Sequence, residues 1–511
     1  MLFNSFQFLI FFPVVVAFYF VVPKKIRYLW LLAASYYFYM SWLPEYGILL
    51  FGCTLVTYLA GLIIGYNKKR ESGEDKEITA KAKKGCKAGK IAAVAISSIL
   101  VFAVLFTFKY FGFFFDSVET ICLKLGVDFS KPVVSLVLPV GISFYTFQAV
   151  GYVIDVYRGK IDAEKNFFRY ALFVSFFPQL VAGPIERSDN LLKQLREVHT
   201  ISLWKLQRIE HGIIYMIYGY VLKMIISDRA KIFVDEVYSA ENYSNYAGII
   251  PAVATILFAI QIYCDFAGYT AIAIGAAKVM GFDLMENFNT PYLAISIRDF
   301  WSRWHISLTQ WFRDYLYIPL GGNRKGKVRK YINIFIVFAL SGLWHGASWH
   351  FVIWGVLHGI LRIVDDLTFK TRKKFYDTIG ATNTLSHRLF QILGTFFFVC
   401  MAWVFFRAES VGQALMIIKN TFTVWNPWVL SDGTLINIAL DPKEWNVLFA
   451  ALAFLLITEV AKYKKYRLAE KILTQGYVFK GALFIIGVLA ILIFGIYGAD
   501  YDAASFIYFQ F

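Results

Sequence analysis

Long apolar runs alternate along the chain with shorter polar segments rich in Lys and Arg. The runs fall near 5–22, 28–43, 47–65, 91–111, 134–157, 210–227, 249–275, 331–345, 347–363, 389–407, 443–461 and 481–497. A helix of about 20 residues crosses a hydrocarbon core about 30 Å thick, and several runs are somewhat shorter than that. Backbone N–H and C=O groups inside a bilayer must pair within the chain, so the runs predict helices. The pattern predicts an all-α, polytopic membrane protein of about 11–12 transmembrane helices. The first run has no cleavage-site pattern and a second follows at once, so it reads as a retained helix rather than a signal peptide. Residues 167–185 (FFRYALFVSFFPQLVAGPI) break the pattern. They are apolar, end in Pro178, Gly183 and Pro184, and carry inner-side charges on both flanks. A re-entrant segment is predicted there, because broken backbone at membrane depth must be buried in protein or line a cavity.

Composition agrees. Of 511 residues, 58% are hydrophobic, 19% aromatic and 17% charged. A soluble domain usually carries about a quarter charged residues, so soluble, disordered and disulfide-scaffold classes are excluded. The cysteines Cys53, Cys86, Cys122, Cys264 and Cys400 are scattered, with no C-x-x-C pair or zinc-like Cys/His spacing. No metal site is expected.

The net charge of +16 invites comparison with nucleic-acid binding, and the distribution of charge decides against it. With the N-terminus outside and the spans alternating, segments 23–27, 67–90, 158–210, 298–330, 364–388 and 462–480 lie inside. They hold 40 Lys/Arg against 16 Asp/Glu. Segments 112–134, 228–248, 408–444 and 499–511 lie outside and hold 6 against 13. This is the positive-inside rule. It places both termini outside and accounts for the basic balance with no nucleic-acid partner. The lysine-rich stretch 67–90 reads as a solvated, partly disordered loop near anionic lipid.

Histidines and charges within membrane segments are costly, which makes them functional candidates. His199, His211 and His387 lie in or beside inner segments and read as surface residues. In 298–324, Arg298, Arg303, Arg313 and Arg324 alternate with Trp301, Trp304 and Trp311 around His305. One reading is an interfacial helix with snorkelling arginines. The other is the wall of a polar cavity whose guanidinium groups bind the phosphates of an activated donor entering from the cytoplasm. In 341–359 (SGLWHGASWHFVIWGVLHG), His345 sits between Trp344 and Gly346 at a predicted bend between two short apolar helices. A neutral imidazole there can accept a proton. His350 and His358 read as core histidines bonded to backbone. Asp265, in YCDFAGYTAIAIG, is expected to orient an Arg, a His or a backbone turn, and Gly268 and Gly275 to allow close helix packing. The tail GADYDAASFIYFQF is either an interfacial aromatic anchor or folds back so that the Tyr508 hydroxyl serves as a nucleophile.

These motifs, with PVGISFYTFQAVGYVIDVYRG (139–159), PQLVAGPIERSDNLLKQL (178–195) and WSRWHISLTQWFRDYLYIPLGGNR (301–324) in order, resemble the membrane-bound O-acyltransferase superfamily. The chain looks closest to its bacterial alginate and peptidoglycan O-acetyltransferase branch, with the teichoic-acid D-alanylation membrane protein as a cousin. The resemblance implies a ring of tilted helices around a thin centre, entered by funnels from both sides. It implies an acyltransferase core over 1–480 and an extra helix with an extracellular aromatic tail over 481–511. The family's near-invariant histidine maps onto His345 and a second onto His305, with Trp344, Gly346 and Asp265 as orienting residues. Tyr508 matches the tyrosine of the aromatic motif, a transient acyl carrier. The implied activity is O-acetylation of an extracellular cell-envelope polysaccharide from the bacterial cytoplasmic membrane. No bound cofactor is expected; acetyl-CoA is the implied donor, and a secreted SGNH-type O-acetyltransferase the implied partner. The competing readings are a transporter or flippase of an acyl carrier, and D-alanyl transfer to teichoic acid.

Overall fold

A computed structural model describes residues 1–72, 80–132, 137–382, 384–498 and 507, and among the described residues there are helices but no strands. Each of the twelve apolar runs overlaps a helix, although in the fifth no helix forms over 137–141 before Ile142. Seven are long and apolar enough to cross a membrane: Tyr46–Ser72, Ala82–Lys124, Leu206–Tyr238, Ile249–Met280, Leu385–Arg407, Pro442–Tyr463 and Tyr477–Phe494. The other five, Phe6–Val21, Arg27–Met40, Ile142–Arg158, Gly326–His345 and Trp349–Thr378, are shorter or more polar. The chain is an all-α, polytopic membrane protein, and its described residues form two compact units: Met1–Gly212 with Ala276–Met285, and Ile213–Gly275 with Glu286–Phe511.

The first unit contains the broken segment. Helix Phe167–Ser175 stops at Phe176, a single turn Phe177–Leu180 follows, and no helix forms over 181–187, yet every residue from 170 to 188 is buried. Pro178 cannot donate to a helix ladder, and the freed backbone groups find side chains instead. The Phe173 carbonyl accepts from Gln148 Nε2 at 2.7 Å and Gln179 Nε2 at 2.8 Å, and Phe177 N–H donates to Ser35 Oγ at 3.1 Å. The lysine-rich stretch differs from its expected loop. Helix Tyr46–Ser72 continues through Lys68–Arg70, and the next helix already runs from Ala80. Lys, Ala and Glu are good helix formers, and Lys90 ion-pairs with Glu71 across the two helices. Within this stretch, 73–79 lie outside the described residues.

In the second unit, two close crossings set the geometry. A Cβ on Gly219 would stand 2.5 Å from the Gly268 carbonyl, and one on Gly268 would stand 2.7 Å from that of Gly219. Helix Leu206–Tyr220 therefore meets Ile249–Met280 backbone to backbone. Helices Gly326–His345 and Trp349–Thr378 form a hairpin in which Gly342 and Gly355 face each other with no room for a side chain on either. The second arm outlasts its apolar run and continues to Thr378 with an Arg362–Asp366 pair along its face. The last helix, Tyr477–Phe494, packs Gly487 on Ile217, and its end is tied by Ile496 N–H to the Met224 carbonyl at 3.0 Å.

Candidate functional site

His345 is the last residue of helix Gly326–His345. Gly346 (φ −156°, ψ 147°) and Ser348 (φ −154°, ψ 153°) are extended, and the return helix begins at Trp349. Gly346 is required by space, since a Cβ there would collide with the Phe351 ring. The imidazole is 3% exposed. It meets Trp344 and Trp354 edge to face, each at 4.9 Å between ring centres, and Phe406 at 5.6 Å. These rings fix its orientation by packing.

His305 lies 6.4 Å from His345, ring centre to ring centre. It joins helices Ile297–Arg303 and Ile306–Phe312 with left-handed backbone (φ 44°, ψ 54°), a conformation uncommon for a residue with a Cβ and often found at functional sites. Segment 287–289 holds it there: Asn289 N–H donates to the Arg303 carbonyl and Ile306 N–H to the Asn287 carbonyl, each at 2.9 Å. The Asn287 side-chain oxygen lies 3.0 Å from His305 Nδ1. His305 is fully buried, with Phe266 edge to face at 4.7 Å and Trp344 at 5.9 Å.

The other two histidines of the hairpin have packing partners. His350 Nδ1 donates to the Phe405 carbonyl at 3.0 Å, the expected backbone bond. His358 does not use backbone: its Nδ1 accepts from Trp301 Nε1 at 3.3 Å within a cluster of Trp354 and Trp403.

Asp265 belongs to a buried charge cluster. Its Oδ1 lies 2.6 Å from Lys223 Nζ, which also pairs with Asp228 at 2.8 Å, and all three are at most 3% exposed. Asp265 Oδ2 accepts the backbone N–H of Ile507 at 2.8 Å, and Ile507 itself is buried. The carboxylate thus orients a lysine and the backbone of the C-terminal tail. Tyr508 lies outside the described residues. Among the four arginines, Arg298, Arg313 and Arg324 are exposed, and Arg313 pairs with its neighbour Asp314. Arg303 is committed elsewhere, to Asp299 at 2.8 Å, Thr290 Oγ1 at 3.0 Å and the Asn289 carbonyl at 3.4 Å. The structure therefore brings His305, His345 and Trp344 together, sets Asp265 one residue from Phe266, and leaves three arginines on the surface.

Sequence reasoning missed Lys223, Asn287, Trp354 and Phe406. Lys223 was detectable as a charge inside the apolar run 210–227, by the criterion that singled out Asp265. Asn287 stands in a short polar connection where no periodicity marks it.

The model of the MBOAT, membrane-bound O-acyltransferase family, matches residues 161–410, which include both histidines. The chain is 36% identical over 435 residues to the probable alginate O-acetylase AlgI of Pseudomonas putida, covering 84% of this chain and 82% of that protein. It is 33% identical over 416 residues to the peptidoglycan O-acetyltransferase of Helicobacter pylori, covering 77% and 73%. The teichoic acid D-alanyltransferase of Bacillus subtilis is 29% identical over 282 residues, covering 54% and 70%.

Proposed function

Because the chain belongs to the membrane-bound O-acyltransferase family, we propose that it carries an acetyl group from a cytoplasmic thioester, acetyl-CoA, to a hydroxyl of an extracellular envelope polysaccharide. The observation that supports this most is the buried pair His305–His345, 6.4 Å apart. In the reaction, an acceptor hydroxyl attacks the thioester carbonyl carbon. His345 takes its proton as the C–O bond forms. The C–S bond breaks and the proton passes to the departing thiolate, leaving free thiol and an acetyl ester. General-base assistance contributes roughly 10²–10⁴ in rate.

The first acceptor in this reading is Tyr508. The tail enters the second unit at Ile507, the residue before it. A sugar hydroxyl then attacks the tyrosyl ester and its proton returns to the phenolate, directly or through a secreted SGNH-type transferase. His345 is 3% exposed, so the cage of Trp344, Trp354 and Phe406 must admit the acceptor oxygen during turnover. The test is ester-linked acetate in the cell envelope. Cells carrying His345→Ala are expected to lose it while the protein persists in the membrane, and Tyr508→Phe is expected to be nearly as severe. Normal acetylation with His345→Ala overturns the reading; normal acetylation with Tyr508→Phe removes only the tyrosyl carrier.

A further inference from the structure

The polar contacts of Asn287 fix which nitrogen of His305 carries the proton. Asn287 Oδ1 stands 3.2 Å from the backbone nitrogen of Ser307, 2.9 Å from Ser307 Oγ and 3.0 Å from His305 Nδ1. A backbone N–H can only donate, so the amide atom facing Ser307 N must be the oxygen. A carboxamide oxygen can only accept, so His305 Nδ1, facing the same atom, must be the donor. The neutral ring then has hydrogen on Nδ1 and a bare lone pair on Nε2. Asn287 and His305 are 1% and 0% exposed, so solvent does not compete for these bonds. Asn287 Nδ2 is buried and has no hydrogen-bond partner among the described residues. An unsatisfied buried donor is costly, and this orientation of the amide is kept despite it.

We propose that Asn287 is a positioning residue that locks His305 in the Nδ1–H tautomer and so makes its Nε2 a hydrogen-bond acceptor and proton-taking atom. This deepens the acyl-transfer reading and rests on it for its functional consequence. It also changes the part His305 plays. A histidine that polarises the thioester carbonyl needs a donor at its working nitrogen. A neutral ring with hydrogen on Nδ1 offers only an acceptor there. His305 therefore takes a proton, or holds the acceptor hydroxyl, and the carbonyl oxygen is stabilised by another group.

The test reads the tautomer and the activity separately. Full-length protein labelled with ¹⁵N-histidine, with His305→Gln to assign the signal, is expected to show the protonated-nitrogen shift at Nδ1 of His305 and the bare-nitrogen shift at Nε2. Asn287→Ala is expected to shift that population toward Nε2–H and to lower acetyl transfer about 10- to 100-fold, as loss of orientation does. Asn287→Asp keeps the acceptor and is expected to recover transfer well above Asn287→Ala. A wild-type His305 protonated on Nε2 overturns the proposal whether or not the Asn287 variants fold. So does an Asn287→Ala protein that transfers acetyl within about twofold of wild type, or an Asn287→Asp protein no better than Asn287→Ala. If wild-type protein shows the Nδ1–H signature but transfers no acetyl group, the tautomer assignment stands and the acyl-transfer reading fails.

Discussion

The two central imidazoles are held by different kinds of contact. His345 is oriented by the faces and edges of Trp344, Trp354 and Phe406, contacts that confine a ring without choosing its tautomer. His305 is oriented by a directional bond to Asn287, which does choose it. A second buried ionisable group, Glu186, follows a different logic. Burial pushes its carboxyl from an ordinary value of 4.5 up to about 7, partly offset by hydrogen bonds from Met285 N–H and Asn190. The folded protein thus keeps a proton on Glu186 that the unfolded chain has already released. The favourable state holds below about pH 4.5, and stability is lost as pH rises from there through about 7. Glu186→Gln mimics the protonated form, so it should match wild type in thermal unfolding at pH 4 and exceed it at pH 8. The limiting difference is on the order of 3 kcal/mol; equal melting temperatures at pH 8 would show that Glu186 is not held protonated. Sequence could not have announced this residue. Glu186 follows the broken apolar segment in an ordinary run of polar residues, and its burial comes from the chain returning at Met285, about a hundred positions later.

At the scale of elements, the Lys223–Asp228–Asp265 cluster joins helix Ile249–Met280, helix Leu206–Tyr238 and the backbone of Ile507. A lysine buried between two carboxylates has its charge compensated, and removing one partner of a buried pair commonly costs about 3–5 kcal/mol. Asp265 does two things: one oxygen neutralises Lys223 and the other accepts from Ile507 N–H. Asp265→Asn keeps a neutral acceptor for the amide and loses the ion pair, whereas Asp265→Ala loses both. Hydrogen exchange of the peptide covering Ile507 is therefore expected to be slow in wild type, little faster with Asp265→Asn and fast with Asp265→Ala, with envelope acetate falling in the same order. Slow exchange in the Ala variant would mean that other contacts hold the tail. The elements themselves were largely visible in the sequence. Apolar period and length located a helix at each of the twelve runs, and Pro178 with Gly183 marked the broken segment, because both signals are local. The extension of helix Tyr46–Ser72 into the lysine-rich stretch was not visible, since high charge suggested solvation while the Lys90–Glu71 pairing that supports helix there is tertiary. The distances that make a site, His305 to His345 and Asp265 to Ile507, join residues far apart in sequence and left no periodic trace.

At the scale of the whole molecule, the uneven distribution of charge bears on how a donor is met. The segments expected to lie inside hold 40 basic against 16 acidic residues, and the exposed Arg298, Arg313 and Arg324 belong to one of them. A basic surface attracts a phosphate-bearing donor through solvent, and that attraction is screened over about 8–10 Å at ordinary ionic strength. The step proposed at the buried His345 is not screened in the same way. An enzyme and a carrier with this surface bind a coenzyme thioester alike; they differ in whether the C–S bond breaks. Purified protein given radiolabelled acetyl-CoA is expected to release one free CoA for each acetyl group transferred. Raising the salt should increase KM for the donor several-fold and leave kcat nearly unchanged, because only the encounter depends on exposed arginines. Arg313→Gln should act as mild added salt does. Arg303→Gln should instead lower thermal stability, since that guanidinium ties Asp299 to the segment carrying Thr290. Saturable donor binding with no CoA released, in protein whose His345→Ala variant behaves the same, would point to carriage of an acyl donor without chemistry, and the histidine pair would then need another purpose.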